Sequence, residues 1–68
     1  MNESVSNTVQ KLRMNRGLTQ EALAEKASVS RQTVIAIEKG NYTPSVLLAL
    51  KIARIFKVPV EDIFSIKV

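Results

Sequence analysis

The stretch Leu18–Gly40, LTQEALAEKASVSRQTVIAIEKG, decides how the chain is read. It parses into two short helices and a tight turn. Thr19 stands before Gln20-Glu21-Ala22, where its hydroxyl can accept from the first free amides of a helix running to about residue 27. Ser30 stands in the same way before Arg31-Gln32-Thr33 and opens a second helix to about residue 39, which Gly40 ends by supplying a left-handed residue. Only Ser28 and Val29 lie between them.

Apolar spacing assigns the inner faces. Leu23, Ala24 and Ala27 share one side of the first helix, and Val34 and Ile37 share one side of the second. Ala24 is small where the two helices must approach, and Val29 is apolar where a free loop would not need it, so it plugs the gap between them. The pattern is a helix-turn-helix. Its second helix then keeps an outward face of Arg31, Gln32, Ile35 and Ala36, which is the predicted reading surface.

The surrounding motifs carry a resemblance. Gly17-Leu18-Thr19-Gln20, Leu23-Ala24, Val29-Ser30, Ile37-Glu38-Lys39-Gly40 and Pro44-Ser45 stand in the order and spacing found in the Cro/phage-repressor-like (Xre) family of transcription regulators. The similarity continues through KIARIF and VPVEDIF and covers about residues 9 to 64. Each motif is weak alone; their shared order is specific. The resemblance implies an all-α, compact five-helix domain of the lambda-repressor type, with helices at about 6–15, 19–27, 30–39, 45–57 and 60–64.

Composition is compatible with that. A chain of 68 residues makes one domain that buries about 60% of its unfolded surface. Its 46% apolar residues suffice for a core, while two Gly and two Pro leave helices uninterrupted. With no Cys and no His, the usual nucleophile–base pairs and zinc sites are missing, so no enzyme, metal or cofactor is expected. The net charge of +4 fits either an ordinary basic surface or a footprint for phosphates. Neither a signal peptide nor a membrane span is visible, which places the chain in the cytoplasm.

Outside the central stretch, Met1 to Ser4 are polar and expected to fray. Ser6 or Asn7 can cap the first helix, which turns Val9 and Leu12 inward and ends at Arg16-Gly17 with Gly17 at positive φ. Met14 reads as filler or as part of a partner surface. Ser45 caps the fourth helix, whose inward stripe is assigned to Val46, Ala49, Leu50, Ala53 and Phe56. Leu47, Leu48, Ile52 and Ile55 carry apolar character much further round. A domain this small cannot surround such a helix, so Leu47, Leu48 and Ile55 are assigned to a self-association surface, the alternative being exposed leucines covered by neighbouring chain. Phe64, Ile66 and Val68 alternate with polar residues, the period of a strand. With no partner strand in sight, they form either a two-stranded ribbon across a dimer axis or a disordered tail.

The reading helix then defines the expected contacts. Residues near the start of a helix in the major groove reach base edges, where a guanidinium suits guanine and a carboxamide suits adenine. Arg31 and Gln32 occupy that start, with Ile35 and Ala36 able to touch thymine methyls; Arg31 could instead grip a phosphate. Ser30, Thr33, Lys39, Asn41 and Tyr42 border the helix as phosphate contacts, with Lys39 alternatively a solvated lysine. Resemblance adds Gln20 as a phosphate clamp at a helix N-terminus, and an Arg13–Glu38 ion pair of structural kind. The expected partners are double-stranded DNA and a second copy of the chain, the protein acting as a repressor on a palindromic operator. The alternative is a protein-interaction module, an antitoxin or adaptor on the same scaffold.

Overall fold

The computed structural model describes residues 3–67. Strand β1 (Ser4–Asn7) leads into α1 (Val9–Asn15), α2 (Gln20–Ala27), α3 (Arg31–Glu38) and α4 (Val46–Phe56), then a 3-10 turn at Val60–Asp62 and strand β2 (Phe64–Lys67). Four α-helices and a small sheet thus replace the expected five. The fifth expected helix is one 3-10 turn, which Pro59 precedes without a side-chain cap. Among the described residues no helix is long and apolar enough to cross a membrane.

Three helices begin on the residues predicted to cap them. Thr19 accepts from the Ala22 amide at 3.0 Å, Ser30 from Thr33 at 3.1 Å and Ser45 from Leu48 at 3.1 Å. Each hydroxyl satisfies an amide that has no partner inside its helix. Gly17 and Gly40 do take positive φ, +68° and +78°. Ser28 and Lys57 take φ 59° as well and end α2 and α4 in the same left-handed way, although neither is glycine.

Eleven side chains form the core: Val9, Leu23, Ala24, Ala27, Val34, Ile37, Leu48, Ile52, Ala53, Phe56 and Ile63. Phe56 is fully buried among them, and Leu12, Leu18, Val29 and Ile55 pack around the edge. Burying each of the larger side chains contributes about 1.5–3 kcal/mol. No buried side-chain polar atom among the described residues lacks a hydrogen bond.

Helix α4 is rotated relative to expectation. Its buried residues are Leu48, Ile52, Ala53 and Phe56, with Ile55 half-buried, while Val46 is 76%, Leu47 65% and Leu50 53% exposed. Leu48 therefore serves the core, Ile55 packs half-buried at its edge, and Leu47 stays outside. Ser45 sets the start of the helix, but nine apolar residues in eleven fit an inward stripe on nearly any side. Packing against α2 selects one.

The chain ends also differ from expectation. The C-terminal strand pairs within its own chain: β1 and β2 run antiparallel with Ser4 opposite Lys67, Val5 opposite Ile66, Ser6 opposite Ser65 and Asn7 opposite Phe64. Over Phe64–Lys67 this replaces the disordered tail, and it removes the reason for a ribbon across a dimer axis, since the strand already has a partner. Ser6 and Asn7, expected to cap α1, are strand residues, so α1 begins at Val9. Phe64 is half-buried against the core, Ile66 is exposed, and Val68 lies outside the described residues, as do Met1 and Asn2.

Candidate nucleic-acid interface

Helix α3 is capped at its start, tied down at its end, and exposed chiefly over its first turn. At its start, Ser30 Oγ caps Thr33 and also lies 2.9 Å from Thr33 Oγ1. One hydroxyl of that pair donates to the other, which leaves one O–H free for an outside acceptor rather than the two that separate phosphate contacts would need. Arg31 and Gln32 follow, both exposed.

Beside that first turn runs an open groove lined by Ser30, Gln32, Thr33, Ala36, Asn41 and Tyr42. It gathers two of the residues predicted to read bases and four of those predicted to hold phosphate. Asn41 is positioned there by its own backbone, its amide donating to Ala36 O at 2.9 Å as the chain leaves α3. Arg31 and Ile35 do not line the groove; Ile35 is half-buried, as Ala36 is.

At the far end of α3, Glu38 is a junction. Arg13 Nε donates to its Oε2 at 2.6 Å and Nη2 to its Oε1 at 3.3 Å, while Arg13 Nη1 donates to Leu18 O at 2.8 Å. The two side chains are only 11% and 3% exposed. Gln20 adds a third donor, its Nε2 lying 3.1 Å from Glu38 Oε1. One carboxylate thus ties α1, the start of α2 and the end of α3 together. Gln20 keeps its second amide hydrogen for another acceptor.

Asn7 is a residue that sequence reasoning misread. Its amide donates to Ile37 O at 2.9 Å while its Oδ1 accepts from Val9 N at 3.1 Å, so it pins the sheet to the end of α3 and the start of α1 together. Thr8, not Asn7, is the N-cap of α1 and makes no side-chain cap; meeting Val9 N from one residue further out is half of what Asn7 does. Nothing local signals the other half, because Ile37 is thirty residues away.

A short capped helix packed on its predecessor across a tight turn, with an arginine and a glutamine exposed at its start, has the arrangement of a DNA-binding helix-turn-helix. Comparison with known proteins agrees. The family model HTH_3, described as "Helix-turn-helix", matches residues 9–63. The chain is 53% identical over 60 residues to the HTH-type transcriptional regulator YgzD of Bacillus subtilis, covering 88% of this chain and 91% of that one. It is 57% identical over 60 residues to the regulator MJ0272 of Methanocaldococcus jannaschii, with the same coverage. Among solved structures, the restriction-modification controller protein C.AhdI of Aeromonas hydrophila superposes with a TM-score of 0.74 at 30% identity, over 79% of this chain and 82% of that one. The clp gene regulator ClgR of Corynebacterium glutamicum gives 0.76 at 25% identity, over 81% and 58%. The chain belongs to the Xre/Cro-like helix-turn-helix family of transcription regulators, DNA-binding proteins and not enzymes.

Proposed function

We propose that the chain acts as a cytoplasmic homodimeric repressor, laying α3 in the major groove at each half of a palindromic operator. The observation that carries this is the bare first turn of α3. Arg31 and Gln32 read base edges, Ala36 meets a thymine methyl, and the Ser30–Thr33 hydroxyl pair, Asn41 and Tyr42 hold the bordering phosphates. Lys39 and the spare amide hydrogen of Gln20 serve the other rim. Repression is supported by a 33% identity over 60 residues to the phage CTXphi transcriptional repressor RstR of Vibrio cholerae, of which the chain spans 54%.

One such helix reads only a few base pairs, so a twofold pair about 34 Å apart supplies the rest of the specificity. The surface for that pairing is the outer side of α4, where Val46, Leu47 and Leu50 are exposed and a hollow is lined by Leu47, Leu50, Lys51 and Arg54. The same patch also suits a protein partner of another kind, the adaptor reading. Selection of bound fragments from random duplex DNA separates the two: a palindrome with half-sites one helical turn apart is expected, and failure to enrich any sequence would discard the repressor reading.

A further inference from the structure

We infer that the β1–β2 sheet is a second DNA-backbone contact, with Lys67 as its cation and the hydroxyls of its outer face beside it. This rests on the groove-reading role of α3 and extends it to residues outside the helix-turn-helix.

The eight residues of α3 span about 12 Å at 1.5 Å each, close to the width of the major groove. A helix whose start lies among base edges therefore ends beside the phosphates that wall the groove. The sheet sits at that end, held there by Asn7 donating to Ile37 O. A single open groove is shared by the Ser4–Asn7 strand, the Glu38–Gly40 segment and Lys67. The start of α2 reaches the same place, since Gln20 bonds Glu38. Three elements thus converge on one rim.

The chemistry of the sheet suits phosphate. Side chains alternate across a strand, so the register places Ser4, Ser6, Ser65 and Lys67 on one face and Val5, Asn7, Phe64 and Ile66 on the other. The second face packs inward in part: Asn7 bonds α3 and Phe64 meets the core. The first face carries three hydroxyls and an ammonium with no carboxylate, and Ser6 and Ser65 are joined at 2.8 Å, which leaves one hydroxyl hydrogen of the pair for an outside acceptor. Within the groove, Glu38 is the carboxylate, and its charge is already taken up by Arg13 and Gln20.

The test is a salt titration of duplex binding, followed by fluorescence anisotropy on the full chain, for wild type, Lys67→Gln and Lys67→Glu. One phosphate contact contributes about 0.9 to the slope of log K against log salt. Lys67→Gln should lower the slope by about one unit and weaken operator and random duplex alike, roughly three- to sixfold near physiological salt. Lys67→Glu should weaken both further, with thermal melting unchanged in each variant. An unchanged slope in Lys67→Gln, against a wild type that binds with normal salt sensitivity, would overturn the sheet contact and leave the role of α3 intact. A wild type that binds no duplex at all would remove both.

Discussion

Helices α3 and α4 begin alike and end up serving opposite surfaces. Each is opened by a serine in extended conformation whose hydroxyl accepts the third amide at 3.1 Å. Each buries one side in the same core and leaves another uncovered. On α3 the uncovered side offers a guanidinium and a carboxamide; on α4 it offers Val46, Leu47 and Leu50. Local backbone chemistry fixes where a helix starts. What the exposed side presents decides whether water, nucleic acid or protein is its natural neighbour.

The largest expected effect lies at the anchor of α3. Glu38→Ala leaves Arg13 buried without a counter-charge and should cost about 3–5 kcal/mol in denaturant unfolding. A loss under about 1 kcal/mol, the value of an exposed pair, would show that the helix is not held there. Adjacent leucines of α4 give the next test. Leu48→Ala should cost about 2–5 kcal/mol of stability, whereas Leu47→Ala should stay within about 0.5 kcal/mol and instead raise the dimer dissociation constant seen by sedimentation. Equal effects at the two positions would return α4 to the orientation first expected.

On the open side of α3, Gln32→Ala should lose about 1–3 kcal/mol of binding at one operator position while melting stays unchanged. Equal weakening on random duplex would remove its reading role. The smallest effect tests the likeness itself: Ser30→Ala and Ser45→Ala should each cost about 1 kcal/mol of stability, and similarly, because both remove one cap of the same geometry. A much larger cost for Ser30→Ala would assign more than a cap to its contact with Thr33.

The central unit was legible because its signals are local. Thr19, Ser30 and Gly40 mark boundaries within a few residues, and short helices with sparse apolar positions admit one inward face. In α4 the opposite condition held: too many apolar residues satisfied the pattern, and Leu48 and Ile52 could be told from Val46 and Leu50 only by what packs against them. The strand Ser4–Asn7 was invisible for a third reason. Four residues of mixed character carry no strand signal until their partner, at the other end of the chain, is placed beside them. Ser28 and Lys57 were missed because left-handed helix ends are expected at glycine or asparagine.

That partner distance has a kinetic meaning. Two strands alone are marginal in water, and Asn7 meets Phe64 only after nearly all the intervening chain has been drawn in. The helices must therefore assemble before the strands close, and the strands must part before the helices do. In hydrogen exchange the amides of Val5 and Ile66 should give way earliest, opening like a clasp whose release leaves the garment whole.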